Sequence, residues 1–383
     1  MESTLSTVLA ATLEPVLRPD DFGLACARGG FHIDPWRPVN HAVITHAHGD
    51  HARTGSKTYY VATEALSIMK QRLGHDSKFI HHPYGHKFKM GETIVSFHPA
   101  GHILGSAQVR VEYDGKVWVA SGDYKRAADP TCAPFEVVPC DVFITEATFA
   151  LPIYRWEPGS HTAREVLSWW DQNARENRPS LLFCYSLGKA QRLLGELYQL
   201  DKTRQAYLHG AAVSLTNLYR EAGIEMIDTH PVSEEPKTKK FGGELILAPP
   251  SAHRSLWMRR FKGADTGFAS GWMRVRGARR RNGYDRGFVL SDHADWPDLL
   301  RTVKDTGARY ILPTHGNSEV LSRRIIELGL EAQPLNLTAY DSDESEDAGE
   351  GTENKVEARE SESDSGARES EPDSGARESE TTP

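Results

Sequence analysis

The sequence predicts an α/β protein of two globular bodies followed by a polar tail. Up to about residue 340, short apolar runs with strand periodicity alternate with segments of helical spacing. After Phe149 the chain takes on the strand-then-helix alternation of a mainly parallel sheet, and near Phe288-Val289-Leu290 it returns to the first body. Beyond Tyr340 apolar residues almost vanish. A length of 383 residues has room for two domains at roughly 150 each. The expected division is 1–150 for the first part of the larger body, 151–286 for an insert, 287–340 for the remainder and 341–383 for the tail.

The elements follow in order. Residues 22–45 read as short strands with turns at Gly29-Gly30 and Asp34-Pro35. Residues 58–62 form a strand and 63–73 a helix, with Ala65, Leu66, Ile68, Met69 and Leu73 at helical spacing. A strand over 93–97 leads into Pro99-Ala100-Gly101-His102. Residues 107–113 and 116–120 alternate around Asp114-Gly115, a pair favoured in two-residue hairpin turns. The second of these strands runs into Ser121-Gly122-Asp123, and 142–146 is a buried strand ending on Glu146. In the insert, 164–173 is helical, 180–184 is a strand, and a helix opens at Leu187-Gly188-Lys189-Ala190 and runs to about Leu200. Strands follow at Tyr207-Leu208 and 244–248. The strand 310–312 leads into Pro313-Thr314-His315-Gly316, and a helix over 318–328 stops at Gly329.

Hydrophobic residues make up 39% and charged residues 26%, the balance of a soluble globular body. No basic segment followed by a continuous apolar run opens the chain. No stretch approaches the ~18 apolar residues of a membrane helix, so no membrane partner is expected. Cys26, Cys132, Cys140 and Cys184 form no C-x-x-C pair, which argues against a disulfide framework and for a reducing cytoplasm. The net charge of -8 is unevenly placed: residues 341–383 hold 16 acidic and 4 basic side chains, leaving 41 basic and 37 acidic in 1–340. A body of net +4 suits a polyanionic partner. The tail repeats residues 364–371 as 373–380, and its polarity predicts disorder.

The candidate chemistry concentrates in Thr45-His46-Ala47-His48-Gly49-Asp50-His51. Alternate residues on an extended strand end share a side, so His46 and His48 converge on one ion. A turn at Gly49 brings Asp50 and His51 round to the same pocket, with donors for a second. Zinc favours such imidazole and carboxylate ligands. The stretch resembles the signature of the metallo-β-lactamase superfamily, which implies an αββα sandwich. Further ligand types stand where strands end. His102 completes three histidines with His46 and His48, Asp123 has two oxygens with which to bridge the ions, and His315 joins Asp50 and His51. His75, His81, His82, His86, His98 and His230 fit no ligand pattern.

The resemblance narrows on three more motifs. Glu146 in Thr145-Glu146-Ala147-Thr148, His293 in Ser291-Asp292-His293-Ala294-Asp295, and His315 in Thr314-His315-Gly316 are similar to motifs of the β-CASP nucleases. Leu187-Gly188-Lys189-Ala190-Gln191 is similar to the helix start in their inserted α/β domain. His32 to Pro38, Pro152-Ile153-Tyr154-Arg155-Trp156 and Gly271-Trp272-Met273-Arg274 resemble the ligase-associated DNA exonucleases, over about residues 20–337. Ala150 departs from that pattern, where Gly is common.

This resemblance implies a zinc-dependent DNA exonuclease in DNA repair, with DNA preferred to RNA and a DNA ligase or helicase as partner. A hydroxide bridging two zinc ions is the expected nucleophile, because zinc lowers the pKa of bound water to ~7. Manganese stays open as the working ion. Asp50 counts among the catalytic residues as a ligand. His293 is expected to protonate the departing oxygen or hold a non-bridging one, and Glu146 to orient it. Substrate grip is assigned to Ser186 and Lys189 at a helix start. It is shared by Arg274, Arg276, Arg279, Arg280 and Arg281, with Trp272 and Tyr284 as stacking surfaces. Three other readings stand beside it. One is an RNA-processing nuclease of the messenger 3′-end type. A second is a small-ester or thioester hydrolase, against which the basic insert argues. The last is a non-catalytic nucleic-acid-binding scaffold, against which the complete ligand set argues.

Overall fold

Alternating apolar side chains let the first 150 residues pair into two sheets that share one core. The computed structural model describes residues 15–275 and 283–337. The tail, together with Arg276, Arg279, Arg280 and Arg281, lies outside the described residues. The first sheet runs in chain order through β1 (Arg18–Pro19), β2 (Leu24–Cys26), β3 (Phe31–Ile33), β4 (His41–Val43), β5 (Thr58–Ala62) and β6 (Phe79–His82). It is antiparallel as far as β3 and parallel from β3 onward. The helix α1 (Leu66–Leu73) connects β5 to β6, as a parallel pair requires.

The second sheet begins with β7 (Phe88–Met90), β8 (Thr93–Pro99), β9 (Ala107–Tyr113), β10 (Lys116–Ala120) and β11 (Val142–Glu146). Asp114 and Gly115 have φ of +48° and +69° between β9 and β10. Positive φ at both central residues gives the hairpin turn whose twist matches its strands, as the Asp-Gly pair predicts. Along β10 and β11 the pleat sends Trp118, Ala120, Val142 and Ile144 into the core shared with the first sheet. Val119 and Phe143 point the other way, to a second cluster.

The insert opens with α2 (Gly159–Arg175), longer at both ends than the expected 164–173. Its sheet comprises β12 (Ser180–Phe183), β13 (Gln205–Leu208), β14 (Asp228–Pro231), β15 (Leu245–Ala248), β16 (Asp265–Ala269) and β17 (Arg286–Phe288). Their order is β14-β13-β15-β12-β16-β17, and every pairing is parallel. The helices α3 (Lys189–Leu200) and α4 (Gly210–Glu221) alternate with these strands. Every residue of β12 and β15 is buried, which suits strands covered on both faces. The pairing of β17 with β16 extends from Arg286 to Phe288, so this sheet continues past the expected boundary at 286.

The chain then forms α5 (Trp296–Asp305), β18 (Tyr310–Thr314), α6 (Ser318–Glu327) and β19 (Glu331–Ala332). β18 lies parallel beside β11, and β19 completes the second sheet. Leu299, Val303, Leu321 and Ile325 of α5 and α6 pack on Val119, Phe143 and Ile311. With α1 packed against the first sheet, the layers run helix, sheet, sheet, helix. No described helix is long and apolar enough to cross a membrane.

Candidate metal centre

The side chains singled out by sequence gather where strands of both sheets end. Residues 45–51 follow β4, Asp123 follows β10, Glu146 ends β11, and His315 follows β18 with φ of +60°. Ser106 Oγ accepts the N–H groups of His102 and Ile103 at 3.0 and 3.2 Å, which fixes the turn after β8. Gly122 has φ of +56°, and a Cβ there would lie 2.7 Å from Thr45 Cβ. Only a glycine lets the Asp123 loop come this close to the His46 segment.

Three groups of ligand atoms result, each drawn together within 4.8 Å: His46, His48, His102 and Asp123; His46, Asp50 and His51; and Asp123, Glu146 and His293. Asp123 Oδ2 stands 3.5 Å from Nε2 of both His46 and His51, and 3.8 Å from His102 Nε2. Asp50 Oδ2 is 3.5 Å from His51 Nε2. The ring centroid of His315 lies 6.0 Å from that of His51. His315 therefore flanks the second group while its nitrogens fall outside the three clusters. Glu146 Oε2 accepts from His293 Nδ1 at 2.9 Å, and Oε1 accepts the Tyr124 N–H at 2.8 Å.

Burial, reinforced by neighbouring imidazoles, holds His46 and His102 well below the ordinary histidine value. They are neutral, the form that binds metal. For His51 burial acts in the same sense, but Asp50, Asp123 and Asp34 outweigh it and raise the ring well above its usual value. Burial pushes Asp123 up to about 8 against the pull of His51 and His293. Nearby carboxylates raise both groups, but for Asp123 they only add to the larger effect of burial. His46 Nε2 is buried and makes no hydrogen bond among the described residues. A bound cation would take that lone pair, and the nitrogen and carboxylate donors around Asp123 fit a dinuclear metal site.

Sequence reasoning passes over several supports. Asp34 Oδ2 pairs with His51 Nδ1 at 2.8 Å, while its Oδ1 accepts the Thr45 N–H at 2.8 Å. The signal was available in Ile33-Asp34-Pro35, a carboxylate at a strand end. Trp156 Nε1 donates to the His293 carbonyl at 3.0 Å. Trp272, expected as a stacking surface for substrate, packs with Phe149, Tyr154 and Trp156 in an aromatic wall there, with Phe149 5.8 Å from the His293 ring.

The expected substrate residues divide. Ser186 Oγ is buried and makes no hydrogen bond among the described residues, and Arg274 is exposed with Nε 3.4 Å from the Ile153 carbonyl. Sequence reasoning gives the Lys189 ammonium to a phosphate; the structure gives it to Asp292 Oδ2 at 3.2 Å, in a buried setting. Tyr284 packs on Phe268 and Phe183 of the third sheet, so its ring serves the core of the insert.

No family model matches the chain. A probable DNA ligase of Opitutus terrae is 32% identical over 318 residues, covering 81% of this chain and 30% of that protein. A ribonuclease of Thermus thermophilus is 26% identical over 199 residues, 44% of each chain. An endoribonuclease of Candida glabrata is 31% identical over 106 residues, 27% of this chain and 13% of that protein. The chain thus spans less than half the length of these relatives. In overall fold it is similar to a protein of unknown function from Enterococcus faecalis. That match has a TM-score of 0.51 at 12% identity and covers 79% of this chain and 80% of that one. Helix-flanked paired sheets, a histidine and aspartate cluster at their strand ends, an inserted parallel sheet and these likenesses agree: the chain is a relative of the metallo-β-lactamases of the β-CASP kind.

Proposed function

We propose that this chain is a metal-dependent phosphodiesterase acting on nucleic acid, a zinc-dependent DNA exonuclease in repair. The observation that carries the reading is Asp123 Oδ2, equidistant at 3.5 Å from His46 and His51 Nε2, with the Glu146–His293 pair alongside. On this reading His46, His48 and His102 hold one ion, Asp50, His51 and His315 hold the other, and Asp123 serves both. When bound, two such cations would supply ionised water at neutral pH and offset negative charge on a phosphate. Glu146 accepts the Nδ1–H of His293, so the ring presents Nε2 to a substrate oxygen. As an imidazolium it gives its Nε2 proton to the departing oxygen, or it holds a non-bridging one through that N–H. Ser186 and Arg274, with Arg276, Arg279, Arg280 and Arg281, grip the phosphate backbone.

Likeness to part of a probable DNA ligase supports DNA as substrate and a ligase as partner. Likeness to a ribonuclease and an endoribonuclease favours a second reading, RNA processing. End-labelled single- and double-stranded DNA and RNA, each with and without chelator, separate the two. Mononucleotides released from DNA, lost with chelator and restored by zinc, are expected. Cleavage of RNA alone would install the second reading, and hydrolysis of neither by metal-loaded protein would sink both.

A further inference from the structure

A buried ionic cluster joins the inserted sheet to the metal centre, and the chemistry above uses none of its charges. Lys189 and Arg192 stand three residues apart on the first turn of α3, so their side chains leave one helix face. Both reach Asp292: Lys189 Nζ lies 3.2 Å from Oδ2 and Arg192 Nη1 3.2 Å from Oδ1. Arg192 Nη1 also donates to the Ser291 carbonyl at 2.5 Å. From the loop after β10, Lys125 lies 3.8 Å from Asp292 and pairs with Asp129, whose Oδ2 is 3.5 Å from Arg192 Nε. Glu196 Oε1 lies 3.9 Å from Arg192 Nε, so three cations face three carboxylates. No side chain among the six is more than 6% exposed. Desolvating so many ions is a weak route to stability, which points to a positional role.

What the cluster positions is a pair of metal-ligand candidates. The Asp292 carbonyl lies 2.8 Å from His102 Nδ1, and the Leu187 carbonyl 3.3 Å from His48 Nε2. With each carbonyl accepting one ring N–H, His102 Nε2 and His48 Nδ1, which are hydrogen-bonded to each other at 3.0 Å, are the nitrogens left to face a metal ion. Leu187 directly precedes Gly188, whose φ is +88° and where a Cβ would lie 2.4 Å from Ile103 Cγ2. That close approach lays the helix start against the residue following His102. Gln191 locks the start, accepting the Gly188 N–H at 2.8 Å and donating to the Ser186 carbonyl at 2.9 Å.

On the reading that His46, His48 and His102 hold an ion, we propose that the start of α3 is a positioning device for it. Lys189 and Arg192 hold Asp292 so that its carbonyl, with that of Leu187, fixes the tautomers of His102 and His48. A carbonyl that takes one ring N–H commits the other nitrogen to metal. Lys189 is then a positioning residue, and the insert sets metal affinity as well as substrate grip.

Cobalt(II) titration of the full chain, followed by visible absorption and chelator competition, tests this. The parent is expected to bind two ions. Lys189→Met leaves Lys125 and Arg192 on Asp292 and is expected to weaken one position by about 10- to 100-fold, with an altered cobalt spectrum. The other position should keep its affinity, and Lys189→Arg should restore the first. Arg192→Met is expected to act in the same direction; if it does not fold, the Lys189 pair decides alone. Parent affinities and spectrum in Lys189→Met would overturn the proposal. So would equal weakening of both positions, or no rescue by Lys189→Arg, since either leaves only a structural clamp. A parent that binds no cobalt would overturn the metal reading underneath.

Discussion

Glu146 is tied at both oxygens, one to the Tyr124 N–H and one to His293. Glu146→Gln keeps the shape but replaces one acceptor with an amide donor, so the imidazole loses its fixed orientation. Turnover on nucleic acid is expected to fall by about 10²- to 10⁴-fold, the usual range for a positioned acid or base. KM and metal content should hold. Metal lost together with activity would instead assign Glu146 to the ligands, as its grouping with Asp123 and His293 would allow. Asp34 acts one bond further out. Asp34→Ala removes the acceptor of the Thr45 N–H and of His51 Nδ1. Leaving buried donors unsatisfied costs about 1–3 kcal/mol each, so calorimetry should show a lower Tm. Zinc affinity should drop by about 10- to 100-fold. A variant with unchanged Tm and affinity would remove Asp34 from the site.

At the scale of elements, the site is a property of strand ends and of the tight loops that leave them. Gly122 and Gly115 make a matched pair for testing this. Both have positive φ, yet a Cβ at Gly122 meets Thr45 at 2.7 Å while one at Gly115 meets nothing within 4 Å. Gly115→Ala is expected to cost about 1–2 kcal/mol through backbone strain alone and to leave zinc affinity intact. Gly122→Ala should lose both stability and zinc affinity, because the Asp123 loop must move off the His46 segment. Denaturant melts and zinc titrations of the two variants give the comparison, and equal behaviour would refute the close-approach argument. The 107–120 hairpin was legible because its turn chemistry is local. β6 and β7 were not legible: Phe79–His82 and Phe88–Met90 are short and carry histidine or lysine, so neighbours decide their pairing. The start of α5 did carry a local signal, Asp295 accepting the Asp298 N–H at 2.9 Å with Pro297 in the first turn.

At the scale of the whole molecule, the proposed function assigns hydrolysis to one body and grip to the other. Asp50→Ala is expected to abolish hydrolysis while largely sparing nucleic-acid binding. Replacing Arg279, Arg280 and Arg281 by Ala should weaken binding and flatten its salt dependence, by up to ~0.9 in log–log slope for each duplex-DNA phosphate that is no longer neutralised. Binding isotherms across salt concentrations check both, and an unchanged slope in the triple variant would leave the basic segment without a role in grip. Metal removal should act on the larger body. A site filled at a thousand times Kd adds about 4 kcal/mol to the folded state, so chelator should lower Tm by several degrees.

The sequence by itself determined which donors exist and that they fall at strand ends, because hydrophobic periodicity and turn chemistry are local. The His46-to-His51 pattern, His102 and Asp123 were readable on that basis, whereas the Glu146 and His293 motifs came from the family resemblance. Only the tertiary structure decided what those groups lean on. The carbonyl that holds His102 belongs to Asp292, 190 residues away, and every residue carries a carbonyl, so composition cannot mark it. The same holds for Lys189, whose charge looks free in the sequence and is spent on Asp292 in the fold. Ion pairs and backbone acceptors depend on how two sheets from distant parts of the chain meet. Packing sets that distance, and no local periodicity encodes it.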